Sequence, residues 1–121
     1  MREIIICDDE LDVAVELAEW FGRNKWGAVA VDSAEGVRRC ILERKKSIDV
    51  ILTDVMMPRE DGVSLLCSIS ASDMPNVFCF MTGVYDSIFV RVPNCDVVFR
   101  KPLSLMQVEG AIKRILSDKG V

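Results

Sequence analysis

Residues 4–9 read Ile4-Ile5-Ile6-Cys7-Asp8-Asp9. Four consecutive apolar residues leave no polar side for water, which is what a strand covered on both faces requires. The two aspartates end the run. Apolar residues then return at helical spacing, at Leu11, Ala14, Val15, Ala18 and Phe21, until Gly22 and Asn24 close the segment.

The same alternation continues along the chain. Ala28-Val29-Ala30-Val31 is a second strand candidate, and Ser33 can cap a helix carrying Val37, Cys40 and Ile41 on one face. Asp49-Val50-Ile51-Leu52-Thr53 reads as a third strand. Pro58 and Gly62 punctuate the loop after it, and Leu65, Leu66 and Ile69 mark a third helix. Val77-Phe78-Cys79-Phe80-Met81 and Val97-Val98-Phe99 supply the fourth and fifth strands. Between them, Ser87 to Val92 could form only a brief helix before Pro93 and Asn94, so the fourth helix is expected to be short or irregular. Ser104-Leu105-Met106-Gln107 matches a capping box for a final helix with Val108, Ala111, Ile112, Ile115 and Leu116 as its stripe and Gly120 beyond its end. Strand–helix alternation repeated five times predicts one α/β domain over residues 1–121, a doubly wound five-stranded parallel sheet with helices on both faces.

Composition narrows the function classes. The chain has 121 residues, half of them hydrophobic, with a formal net charge of −4. An acidic balance argues against direct nucleic-acid binding, which depends on Lys and Arg at the phosphates. The apolar runs are far too short to span a bilayer. Met1-Arg2-Glu3-Ile4 enters a strand at once with no signal sequence, so a cytoplasmic protein is expected. Cys7, Cys40, Cys67, Cys79 and Cys95 are scattered and odd in number, which suits free thiols in a reducing compartment and gives no zinc or disulfide pattern. With no histidine in the chain, Ser-His and Cys-His nucleophile pairs are ruled out.

In an open α/β sheet, ligands bind beyond the carboxyl ends of the strands. Asp8 and Asp9 follow the first strand, Asp54 the third, Thr82-Gly83 the fourth and Lys101-Pro102 the fifth. Three carboxylates, a hydroxyl and an ammonium are thereby expected at one edge. The carboxylates would repel one another without a counter-charge, and a hard divalent cation such as magnesium is the natural one. Such a set suits phosphoryl transfer, with Asp54 as the covalent nucleophile.

These residues resemble the receiver domains of two-component signalling. Asp8-Asp9 resembles that family's paired acidic site, Asp54 with Met57-Pro58 and Asp61-Gly62 its phosphoacceptor loop, Thr82-Gly83 its switch hydroxyl and small neighbour, and Lys101-Pro102 its lysine and usually cis proline. The resemblance runs from Met1 to about Asp118. It implies the flavodoxin-like strand order 2-1-3-4-5 and Mg2+ (or Mn2+) on Asp9 and Asp54, with Asp8 acting through water and the backbone carbonyl of Met56 as a further ligand. It also implies phosphoryl contacts from Thr82 and Lys101, and a sensor histidine kinase or histidine phosphotransfer protein as donor. A downstream protein or output domain would read the switch, as a monomer or a phosphorylation-dependent homodimer, with no membrane involved. Two departures stand out. The usually aromatic position three before the lysine is Val98, so that either Tyr85 or Phe99 takes its role or the usual aromatic swing is lost, and only eighteen residues separate Thr82 from Lys101.

Plainer readings compete residue by residue. Asp8 and Asp9 could simply cap a helix. Thr82 alone would be structural, Lys101 alone a solvated charge, and the cysteines core filling. The Arg38-Arg39 and Lys45-Lys46 pairs read as solvated helix faces. Rival functions are a receiver-like binding module that needs no phosphorylation and, less favoured, a small aspartyl-phosphate hydrolase. The latter commonly has an acid/base aspartate two residues after its nucleophile, where this chain has Met56. A flavin-binding domain would need a phosphate-cradling loop where Asp8-Asp9 stand.

Overall fold

The computed structural model describes residues 1–44, 47–83 and 94–121. Five strands, β1 (Glu3–Cys7), β2 (Gly27–Val31), β3 (Val50–Asp54), β4 (Val77–Thr82) and β5 (Val97–Arg100), alternate with helices α1 (Leu11–Arg23), α2 (Ala34–Glu43), α3 (Gly62–Ser68) and α4 (Leu105–Asp118). All strand pairings are parallel and the order is β2-β1-β3-β4-β5, the flavodoxin-like order expected. The short helix expected at Ser87 to Val92, and Lys45-Lys46, lie outside the described residues.

Side-chain alternation divides the core into two layers. Ile4, Ile6, Val50, Leu52, Cys79 and Met81 meet Ala14, Leu17 and Phe21 of α1 and Val108, Ile112 and Leu116 of α4. On the other face Ile5, Cys7, Ile51, Phe78 and Phe80 meet Val37 of α2 and Leu65 and Leu66 of α3. The three inner strands are covered on both sides, which is why their sequences are continuous apolar runs rather than alternating ones. The edge strands β2 and β5 are half-buried. Among the described residues no helix is long and apolar enough to cross a membrane.

Two of the expected caps differ in outcome. Ser33 caps α2 as anticipated, its Oγ accepting the Gly36 N–H at 3.0 Å. Ser104 starts α4 at the expected place, yet its side chain makes no capping bond. Leu103 and Leu105 pack against the core there, so apolar docking fixes the entry of that helix. Arg38 also departs from the expected solvated face, since its guanidinium is paired with Glu60 at 2.7 Å. Arg39 stays exposed, 3.6 Å from Glu35 one turn away.

The end of α1 is a Schellman turn. Lys25 N–H bonds the Gly22 carbonyl at 3.2 Å and Trp26 N–H the Phe21 carbonyl at 3.0 Å. The rings of Phe21 and Trp26 meet edge to face at 5.5 Å, the apolar contact that accompanies this motif. Its left-handed position, φ 70°, is held by Lys25 where glycine is preferred. Lys25→Gly is therefore expected to raise stability by about 0.5–1 kcal/mol in urea unfolding at constant m-value, the relief of a side chain from the left-handed region.

Candidate functional site

The register of the sheet brings the predicted polar residues together. Cys7 pairs with Thr53, so Asp8 and Asp54 are the next residues on neighbouring strands. Asp54 lies opposite Met81 and Thr82 opposite Arg100, which places Lys101 one step beyond Thr82. The Lys101 N–H extends the β5 ladder to the Thr82 carbonyl at 2.8 Å. The Lys101–Pro102 peptide is cis.

Lys101 Nζ donates to Asp54 Oδ2 at 2.9 Å and to Asp8 Oδ2 at 3.0 Å. Asp8 is 1% exposed and Asp54 8%. Burying a carboxylate is costly without a counter-charge and hydrogen bonds, and these two share one ammonium. Burial by itself lowers the pKa of Lys101, but the hydrogen bonds and charges of Asp54 and Asp8 outweigh it and hold the ammonium above the usual lysine range. The remaining oxygens are also used. Asp8 Oδ1 accepts the Glu10 N–H at 3.0 Å, and Asp54 Oδ1 the Met56 N–H at 3.1 Å. Asp8 therefore does not cap α1, whose N-cap residue is Glu10, but holds the turn before that helix and faces Lys101 as well.

Asp9 is exposed at the mouth of this group. Carboxylate oxygens of Asp8, Asp9 and Asp54 lie within 4.8 Å of one another. Three carboxylates against one ammonium leave a site two charges negative, all of its donors hard oxygens. That combination fits a magnesium-type divalent cation rather than a soft metal. Thr82 is buried at the end of β4. Met56 is 62% exposed, and its backbone carbonyl belongs to the loop directly after Asp54.

That loop is tightly built. The Gly62 N–H bonds the Val55 carbonyl at 2.9 Å. A Cβ at Gly62 would stand 2.6 Å from the Asp54 carbonyl oxygen and 2.9 Å from the Phe80 ring, so only glycine allows this approach. Asp61 Oδ1 caps α3 through the Ser64 N–H at 2.8 Å. Cys7, just before the acidic pair, donates its thiol to Met57 Sδ at 3.5 Å. Burial pushes that thiol up to about 12, which keeps it protonated and unreactive at neutral pH.

Sequence reasoning left Tyr85 and Phe99 as substitutes for an aromatic at Val98. Phe99 packs in the layer with α1 and α4, whereas Val98 packs in the layer with α2 and α3. Neighbouring residues of a strand point to opposite faces, so Phe99 cannot occupy the place of Val98. Tyr85 lies outside the described residues. The residue that sequence reasoning missed is Arg38, whose reach to Glu60 in the loop after β3 had no local signal.

The family model described as the response regulator receiver domain matches residues 4–107. The transcriptional regulatory protein PrrA of Mycobacterium tuberculosis is 28% identical over 97% of this chain and 51% of its own length. The sporulation initiation phosphotransferase F of Bacillus subtilis is 25% identical over 98% of this chain and 96% of its own. The chain thus spans about half the length of PrrA and nearly all of the phosphotransferase. In structure, a two-component response regulator from Clostridium difficile superposes with a TM-score of 0.87 at 19% identity, covering 100% of both chains.

Replacing Lys101 with methionine leaves Asp8 and Asp54 buried without their shared cation. In metal-free buffer at pH 7, Lys101→Met is expected to lose about 1–3 kcal/mol of stability, the cost of orphaning buried charged acceptors. The lysine's pKa is raised on folding, so its contribution in the unsubstituted protein is complete below the ordinary lysine value and disappears as pH climbs through the raised one. Urea unfolding in EDTA between pH 7 and 11 checks both, and a gap between the two proteins that does not narrow at the alkaline end would contradict the assignment.

Proposed function

The chain belongs to the response regulator receiver domain family, and from that premise we propose that it is a signalling switch that accepts a phosphoryl group on Asp54. The observation that carries the reading is the single ammonium of Lys101 bridging Asp8 and Asp54, with Asp9 beside them, at the carboxyl edge of the sheet.

In the proposed reaction a carboxylate oxygen of Asp54 attacks the phosphorus of a phosphohistidine on a sensor histidine kinase or histidine phosphotransfer protein. A P–O bond forms, the P–N bond breaks, and the imidazole leaves with its electron pair. Lys101 and the Thr82 hydroxyl are the groups that would bind the oxygens of the transferred phosphoryl. Asp9 and Asp54, Asp8 through water and the Met56 carbonyl would hold Mg2+ (or Mn2+), which when bound offsets the charge brought together by two anions. Small aspartyl-phosphate hydrolases commonly carry an acid/base aspartate two residues after the nucleophile, and Met56, which stands there, cannot transfer a proton. This supports a switch with slow self-catalysed dephosphorylation over a hydrolase.

The rest of the reading follows the family. Residues 1–121 act as one receiver domain in the cytoplasm, without membrane or direct nucleic-acid contact, as a monomer or a phosphorylation-dependent homodimer. Phosphorylation shifts an equilibrium between two shapes that a downstream protein or output domain distinguishes. With Val98 at the usual aromatic position of β5, the shape change runs without an aromatic rotamer change at that residue.

Incubation with magnesium and acetyl phosphate, followed by intact-mass measurement, tests the proposal. One phosphoryl adduct is expected, absent in Asp54→Asn and absent when EDTA replaces magnesium. A folded protein that takes up no adduct would instead be a binding module that works without phosphorylation.

A further inference from the structure

Arg38 of α2 grips the phosphoacceptor loop from outside. Its Nη1 donates to Glu60 Oε2 at 2.8 Å and its Nη2 to Glu60 Oε1 at 2.7 Å, a two-pronged pairing that fixes orientation as well as distance. Nη1 also donates to Ser68 Oγ at 3.1 Å, and that hydroxyl donates to the Leu65 carbonyl at 2.7 Å. One guanidinium thereby joins α2, the loop after β3 and the end of α3.

The loop between Asp54 and Gly62 has few other restraints on its outer half. At its start Met56 is tied to Asp54 Oδ1, and Met57 Sδ accepts the Cys7 thiol. On the outer half, Arg59 adopts φ 71°, a left-handed conformation that a non-glycine side chain keeps only where its surroundings enforce it. Glu60 follows immediately, its N–H on the Pro58 carbonyl at 2.8 Å. The hydrogen bond from Arg38 holds the Glu60 carboxyl below its usual range, so both partners stay charged through neutral pH.

We propose that the Arg38–Glu60 pair is a positioning clasp that holds the loop so that the Met56 carbonyl can complete the cation site beside Asp54. The inference rests on the reading of Asp54 as a metal-assisted phosphoacceptor. Arg38 and Glu60 touch none of the reacting groups. Both are partly exposed, 36% and 29% at the side chain, and such pairs add little to global stability. Their effect therefore falls on the geometry of the loop, one step further out than the residues bonded to metal ligands that orient them in other sites.

The test uses the whole chain, with Arg38→Ala, Glu60→Gln and the exchanged pair Arg38→Glu/Glu60→Arg. Isothermal titration with magnesium alone gives the cation affinity. Adduct formation from acetyl phosphate at graded magnesium separates the magnesium requirement from the maximal rate, and thermal melting reports the fold. Each single variant is expected to bind magnesium about ten-fold more weakly, to need correspondingly more of it for phosphorylation, and to melt close to the unsubstituted protein. The exchanged pair should recover most of the affinity. Single variants with unchanged magnesium affinity would overturn the clasp, and so would an exchanged pair as weak as either single. If the unsubstituted protein itself bound no magnesium and took no phosphoryl group, the proposed function would fall first, a result distinct from either of these.

Discussion

Lys101 reaches two buried carboxylates at the ends of two different strands, 2.9 Å from Asp54 and 3.0 Å from Asp8. Neither aspartate could be kept so far from water without that charge, because desolvating an unpaired anion costs several kcal/mol, on the order of the net stability of a small domain. The need to bring Lys101 there constrains the sheet. β1, β3 and β5 must end at the same edge of the sheet, each one residue further along the register than the last, and the turn after β5 must direct its lysine back across β4. The ladder bond from Lys101 N–H to the Thr82 carbonyl secures that turn. Electrostatics and sheet register are thus one constraint seen from two sides.

The apolar layers make this possible at low conformational cost. With Ile4, Ile5 and Ile6 wholly buried, and Val50, Ile51 and Leu52 beside them, slipping β1 against β3 by one residue would turn each side chain into the wrong layer. Such a slip would also displace Asp8 from Asp54. The same alternation decides the fate of β5, where Phe99 faces α1 and α4 and Val98 faces α2 and α3. An aromatic side chain is present in the strand, on the side where it serves the core.

Around Asp54 the backbone is shaped by contacts rather than by intrinsic preference. Gly62 is needed because its neighbours leave no room for a Cβ. Arg59 holds a left-handed conformation beside the Arg38–Glu60 pair. A loop made of locally unfavourable choices and held by distant partners is where a switch can store two arrangements of similar energy.

The sequence by itself determined the five strands, the parallel doubly wound architecture and the identities of Asp8, Asp9, Asp54, Thr82 and Lys101 as the polar residues at strand ends. These were legible because burial on both faces writes a continuous apolar run, and because whatever follows such a run in a parallel sheet arrives at the same edge. Tertiary structure alone decided that Asp8 is buried while Asp9 is exposed, that Ser104 begins α4 without capping it, that Phe99 is turned away from Val98's layer, and that Arg38 closes on Glu60. Each of these depends on distances between residues far apart in the chain, or on which of two faces a neighbour occupies. Local pattern carries periodicity and turn chemistry, but it does not carry the meeting of an α2 guanidinium with a loop carboxylate twenty-two positions later.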